Sequence, residues 1–204
     1  MKKWVLLIVV VLLAGFLAYK FLSPKPPKTA ANKDEALRIA KNSGPFNTAF
    51  SSMMNEYYSL KDALVEWDTV KADKAAYDLM QRSDSLPYGE LKADSSIILT
   101  AKSMAASISG EAKGFLGEPG LEGKRRAFNM LTDELYTLIN TVRYDGEIIY
   151  HDKCPMAFND SEEAYWLSNN PKIVNPYLGK YHPKYKDKML GCGEINDSTG
   201  VVKK

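Results

Sequence analysis

Apolar side chains recur at helical spacing through the first half of the chain. The first series advances by alternating steps of four and three residues over about six turns. Its members are Phe46, Phe50, Met53, Tyr57, Leu60, Leu64 and Trp67. Pro45 precedes the series, at a position where a helix loses nothing from a missing N–H. The pattern predicts a long amphipathic helix that packs its apolar face against other helices.

Three further series follow the same spacing. Asp68 or Thr69 can cap the first of these three helices. A loop that contains Pro87 follows this helix over residues 83–89. Several glycines lie in the connection at residues 114–123. The apolar positions are Val70, Ala75, Ala76 and Leu79; Ile97, Ala101, Met104 and Ile108; and Leu121, Phe128, Leu131, Leu135, Leu138 and Val142. Four amphipathic helices with short connections predict a mainly α fold, an antiparallel four-helix bundle-like domain.

The N-terminus has the pattern of an export signal. Lys2 and Lys3 precede an apolar stretch without a charge, and no suitable cleavage site follows it, so we expect an uncleaved membrane anchor. A proline- and lysine-rich stretch comes next and is typical of a semi-rigid spacer. The predicted layout is a signal anchor or transmembrane helix at 1–22, a spacer at 23–45, a helical domain at 46–196 (bundle 46–143, Cys/Met segment 144–196) and a tail at 197–204.

Composition excludes some functions. The chain has 27 basic and 25 acidic side chains and a formal net charge of +2, without a long basic block, so we expect no nucleic-acid partner. Cys154 and His151 are the one nucleophile and base close together in sequence, but no third residue can be named to orient the histidine. We therefore expect a protein that is not an enzyme.

Candidate chemistry lies in the C-terminal segment, where prolines interrupt the chain and we expect irregular structure with small strands. Cys154 and Met156 are two residues apart, and in extended backbone their sulfur atoms project to the same side. Met189 and Cys192 share a face if they form one helical turn. His151 lies next to the first pair.

These residue types leave three interpretations open. Thiolate and thioether together form a soft donor set that favours Cu(I). Zinc would use Cys154 and Cys192 with His151 and His182, in a spacing that matches no familiar zinc motif, so we rank it below copper. In an oxidising compartment the two cysteines are also natural disulfide partners, and the methionines would then fill gaps in the packing.

Several stretches resemble a known bacterial family, the domain of unknown function 3347. They are CPMAFNDSEEAYWLSNNPKIVNPYLG, MLGCGEI, YSLKDALVEWD and RRAFNMLTDELYTLI, which together span most of Phe46 to Ile195. Members occur alone in envelope proteins and as C-terminal tails of periplasmic adaptor subunits of heavy-metal efflux pumps. The resemblance implies an extracytoplasmic protein of the bacterial envelope that binds a metal ion and has a heavy-metal efflux system as a candidate partner. The N-terminal anchor lies outside the resemblance, and together the two predict a protein anchored in the inner membrane with its domain in the periplasm.

The resemblance also implies a ligand set and its scaffold. The implied ligands of a soft metal are Cys154, Met156, Met189 and Cys192. The implied scaffold of the second cluster is Trp166, Asn175, Pro176 and Tyr177. The alternative remains a structural or interaction domain of the envelope, closed by a Cys154–Cys192 disulfide. Residues 180–188 form a longer link than expected for the adaptor-fused members, and His182 lies within it.

Overall fold

A computed structural model describes residues 42–199. The predicted anchor, most of the predicted spacer and the end of the predicted tail lie outside these residues. The elements are α1 (Gly44–Val65), α2 (Thr69–Asp84), a 3₁₀ turn (Tyr88–Glu90), α3 (Ser95–Gly117), α4 (Leu121–Val142), β1 (Ile149–Phe158), β2 (Glu162–Ser168) and β3 (Glu194–Thr199). The described fold is mainly α, with four helices and a small antiparallel sheet.

The first helix forms where the apolar series predicts it. The Phe46 N–H donates to the Ser43 hydroxyl at 3.2 Å, and this capping bond fixes the start of α1. Every predicted apolar position within α1 is fully buried. Trp67 lies beyond the helix, with a φ of 58°, in the turn that leads to α2. Asp68 caps α2 by accepting the Lys71 N–H at 3.0 Å, as the sequence predicts.

Two local expectations were wrong. Val70 is 79% exposed, because it lies in the first turn of α2 on the side away from the bundle, so it is no part of the core. The glycines of residues 114–123 do not form a long connection: α3 continues to Gly117 and α4 begins at Leu121. Burial of Phe115 offsets the cost of about 1 kcal/mol for a glycine inside a helix.

Helices that are adjacent in sequence pack against one another, and large side chains close the bundle between α1 and α4. The Tyr57 and Phe128 rings stack with their centroids 5.2 Å apart. The Tyr57 hydroxyl lies 2.6 Å from the Thr132 hydroxyl and accepts the Leu167 N–H of β2 at 3.0 Å. The β2 strand therefore lies at the junction of α1 and α4, and the sheet shares the core of the bundle.

The sheet has the strand order β2-β1-β3 and is antiparallel throughout. Between β1 and β2 the register is regular from Tyr150 to Cys154 and then shifts before Phe158. The segment that was predicted to be irregular with small strands therefore contains more regular structure than expected. The β3 strand includes residues 197–199, which the sequence pattern places in the tail.

Within residues 42–199, no helix combines the length and apolar character needed to cross a bilayer. The stretch predicted as an anchor precedes these residues.

Candidate functional site

The two cysteines meet, although they are 38 positions apart in the chain. The Cys154 and Cys192 sulfur atoms lie 2.9 Å apart, and both side chains are free thiols. Cys154 projects from the central strand β1 and is fully buried. Cys192 is half-buried and lies two residues before β3. The pair therefore joins the middle of the sheet to the loop that enters its edge strand.

A tight turn presents Cys192. The Cys192 N–H donates to the Met189 carbonyl at 3.0 Å, and the Leu190 N–H donates to the Asp187 carbonyl at 3.2 Å. Residues 189–192 thus form a single hydrogen-bonded turn. Met189 is half-buried and packs against the hydrophobic core to which Cys154 belongs.

Asn175 holds that turn in place. Its side-chain N–H donates to the Cys192 carbonyl at 2.8 Å, and its backbone N–H donates to the Leu190 carbonyl at 2.8 Å. Its side-chain oxygen accepts the N–H groups of Tyr177 at 2.8 Å and Leu178 at 3.0 Å. Because Asn175 is fully buried and satisfied on every side, it ties the turn that carries Cys192 to the residues that follow β2.

Gly193 lets the chain that follows Cys192 approach β1 closely. Its φ is +138°, a conformation that favours glycine. A Cβ atom added there would lie 2.6 Å from the Lys153 carbonyl oxygen and 2.7 Å from the Trp166 ring. The glycine after Cys192 therefore approaches the backbone next to Cys154 and the fully buried Trp166.

Met156 lies where β1 departs from regular pairing. It is half-buried and packs against the same core, but it follows the register shift that begins after Cys154. The simple alternation that would bring its sulfur beside that of Cys154 is therefore interrupted.

His151 lies on the other side of β1 from Cys154. The strand is regular between these residues, and positions three apart in a strand face opposite ways. The His151 ring stacks between Tyr136, with centroids 3.9 Å apart, and Tyr165, with centroids 4.9 Å apart. Burial lowers its pKa, so the imidazole is held in its neutral form. The structure thus brings Cys154 and Cys192 together and leaves His151 apart from them.

His182 does not join the cysteines either. It stacks on Tyr185 with centroids 4.9 Å apart, and its Nδ1 accepts the backbone N–H groups of Lys184 and Tyr185, each at 3.3 Å. Among residues 42–199, no three His, Cys, Asp or Glu side chains converge on one point. The set that zinc would use, both cysteines with both histidines, is therefore not assembled in the described part of the chain.

The Cys192 thiol is protonated at neutral pH. Burial raises the pKa of Cys192 to about 12, and the hydrogen bond and charge of Cys154 act in the same direction. A cation that binds here must displace protons from the thiols, so its affinity rises with pH.

A buried carboxyl beside the dithiol was missed from sequence. Asp152 is fully buried on the same face of β1 as Cys154, and burial raises its pKa to about 6. The Ser168 hydroxyl lies 2.7 Å from its carboxyl oxygen, and hydrogen bonding by Ser168, the charge of Lys61 and the indole of Trp166 act against that rise. A single acid in a strand that is covered on both faces has no sequence pattern that reveals its burial.

The fold and site define a helical-bundle domain whose small sheet carries a dithiol. A family model described as "Protein of unknown function (DUF3347)" matches residues 53–145, and over this range the chain resembles that family. The match covers α2, α3 and α4 and most of α1, and it ends before β1, so the two cysteines lie outside it. No curated protein and no solved structure matches the chain.

Proposed function

We propose that this protein is an extracytoplasmic module that binds a soft metal ion, most suitably Cu(I), without catalysing a reaction. The contact between Cys154 and Cys192 supports the proposal most directly. Two cysteine sulfurs, one held by a strand and the other by a turn, provide the soft donors that Cu(I) prefers. The family resemblance favours a role in metal handling or efflux.

The spacing of the two sulfur atoms is compatible with a chelate. A cysteine–metal bond is about 2.3 Å long, so two sulfurs on one ion lie at most about 4.6 Å apart. The sulfur atoms are now 2.9 Å apart. Rotation of the Cys192 side chain, which is only half-buried, would increase this distance to the separation that a shared metal ion requires. Met156 and Met189 are the candidate thioether ligands, because each lies close in sequence to one cysteine and packs on the core that both cysteines contact.

A competition titration tests this function. The full chain in detergent, fully reduced, is titrated with Cu(I) against a chromophoric chelator. We expect one ion per chain, and loss of that ion in Cys154→Ser and in Cys192→Ser. Met156→Leu and Met189→Leu report on the thioethers, with Met130→Leu as the matched control because Met130 is 54% exposed on α4. Unchanged stoichiometry in both cysteine variants would end the proposal.

A second candidate function rests on the same contact. Two sulfurs 2.9 Å apart need little movement to reach the bond length of about 2.05 Å. The protein would then be a structural or interaction domain of the envelope, closed by a disulfide. A thiol count on protein purified without reductant separates the two functions, because two free thiols exclude a permanent bond.

The location is part of the proposal. The predicted anchor at 1–22 would place the domain in the periplasm, attached to the inner membrane. Carbonate extraction of membranes, followed by protease treatment of spheroplasts, tests both points. Release by carbonate, or protection of the domain in spheroplasts, contradicts this location.

A further inference from the structure

Arg125 is a buried cation on α4 whose charge has no acceptor. The side chain is 5% exposed, and its guanidinium stacks over the Trp67 ring, 4.5 Å from the ring centroid. Its Nε and Nη2 atoms have no hydrogen-bond partner among the described residues. Arginine is rarely buried to this extent without a paired anion.

Neighbouring acids are engaged elsewhere. Glu122, one turn before Arg125, lies 3.3 Å from the Nε of Arg126. Glu66, next to Trp67, pairs with Lys180. An unpaired buried charge is costly, and the burial lowers the pKa of Arg125 to about 10. An anion that reached the guanidinium would remove this cost.

The two free nitrogens form one binding edge. The N–H bonds of Nε and Nη2 lie side by side and are parallel, which matches the two oxygens of a carboxylate or a phosphate. Trp67 covers the face of the guanidinium and holds its plane in position, while this edge has no hydrogen-bond partner among the described residues. Trp67 itself has a φ of 58°, a left-handed conformation that costs energy in a bulky residue.

His182 belongs to the segment that follows the residues bound beside Trp67. Its Nδ1 accepts two backbone N–H groups, so its proton lies on Nε2, which is a donor. Burial lowers the pKa of His182, the charge of Arg125 acts in the same direction, and the imidazole is therefore kept neutral. The residues before it are fixed beside Trp67, since the Trp67 indole N–H donates to the Leu178 carbonyl at 3.3 Å and the Lys180 N–H donates to the Val65 carbonyl at 2.9 Å.

We propose that Arg125, with Trp67 over the face of its guanidinium, forms a binding site for a small oxyanion, a carboxylate or a phosphate, separate from the dithiol. The anion accepts two parallel hydrogen bonds from Arg125. Both nitrogens are shielded from water in the present conformation, so binding of an anion requires a local movement of the residues around them.

The test measures stabilisation and tryptophan fluorescence of the full chain in detergent. Inorganic phosphate and acetate are titrated separately at constant ionic strength, with chloride as the replaced anion. We expect one of the two to raise the melting temperature saturably, by about 5 °C or more at ~100 times its Kd. Saturation of the melting shift and of the fluorescence change should follow one isotherm. A phosphate response identifies a phosphate site, and an acetate response identifies a carboxylate site.

Three variants make the result specific to Arg125. Arg125→Gln removes the charge and should abolish the response. Arg125→Lys keeps a charge but lacks the parallel edge, and should weaken binding about tenfold or more. Arg82→Gln is the matched control, because Arg82 is an exposed arginine in the last turn of α2, and it should respond like the parent protein. An absent response to both anions, or an undiminished response in Arg125→Gln, would overturn the proposal.

Discussion

The side-chain amide of Asn175 donates to the backbone carbonyl of Cys192 at 2.8 Å, across 17 positions of the chain. The position of Cys192 therefore depends on a residue that carries no candidate ligand atom. Since the same side chain also satisfies the N–H groups of Tyr177 and Leu178, it connects the turn of the second cysteine to a buried part of the core. These hydrogen bonds make Asn175 a structural support of the turn, although it lies outside the residues that the family model matches.

Replacing Asn175 by Ala should destabilise the reduced protein by about 2–4 kcal/mol. The substitution leaves the Cys192 carbonyl and two backbone N–H groups without partners in a buried environment. The free energy of unfolding is measured by urea denaturation. Asn169→Ala is the control, since Asn169 is exposed and makes no side-chain hydrogen bond in the described structure. Equal stability of the two variants would show that the Asn175 bonds contribute nothing.

The two glycines beside Cys192 should differ in their tolerance of alanine. A Cβ at Gly193 meets the Lys153 carbonyl and the Trp166 ring, whereas a Cβ at Gly191 has no atom within 4 Å. We expect Gly193→Ala to cost about 2–3 kcal/mol and to separate the cysteines, because the strand must shift. Gly191→Ala should change little. Urea denaturation measures the first effect, and the rate of disulfide formation measures the second. The prediction fails if Gly193→Ala matches Gly191→Ala in both.

The helices were predictable because their signal is local. A spacing of three and four residues marks the buried face of α1 directly, and each predicted position from Phe46 to Leu64 is buried. Val70 shows the limit of the method, since an apolar residue in the first turn of a helix can face solvent at little cost.

The sheet was less predictable because β1 is covered on both faces. Ile149 and His151 are buried on one side, and Asp152 and Cys154 are buried on the other, so the strand lacks the alternation that reveals a half-exposed sheet. His151 was predicted to lie with the first cluster because it is close to Cys154 in sequence. In the strand, the two side chains lie on opposite faces. The meeting of Cys154 and Cys192 depends on pairing at long range, which residue types alone do not encode.

Asp152→Asn should remove a pH-dependent loss of stability. The pKa of Asp152 is raised from 3.8 to about 6 in the folded protein, so the folded state retains its proton to higher pH than the unfolded chain. This group therefore costs no stability below about pH 4, costs progressively more as pH rises toward 6, and costs about 3 kcal/mol above it. The difference in unfolding free energy between Asp152→Asn and the parent protein, measured from pH 4 to pH 8, should grow with pH in favour of the variant.

The neutral amide can satisfy every neighbour of the carboxyl. With its oxygen toward the Trp166 side, the amide N–H₂ can donate to the Ser168 hydroxyl, which can donate in turn to the Asn170 carbonyl at 2.9 Å. Asp187→Asn is the control, because Asp187 is exposed and its side chain makes no hydrogen bond or ion pair in the described structure. A constant difference between Asp152→Asn and the parent across this pH range would contradict the raised pKa.

Oxidation should stabilise the protein and abolish binding of Cu(I) at the same time. The sulfur atoms of Cys154 and Cys192 already touch, and a bond between them closes a loop across 38 positions, which would add about 3–4 kcal/mol by restricting the unfolded chain. The oxidised and reduced forms are compared by urea denaturation and by Cu(I) competition on one preparation. Cys192→Ser, treated with the same oxidant, should gain no stability and controls for other oxidation. If the oxidised form still binds Cu(I), the metal site lies away from these two sulfur atoms. If oxidation abolishes Cu(I) binding but does not increase the free energy of unfolding, the disulfide strains the sheet.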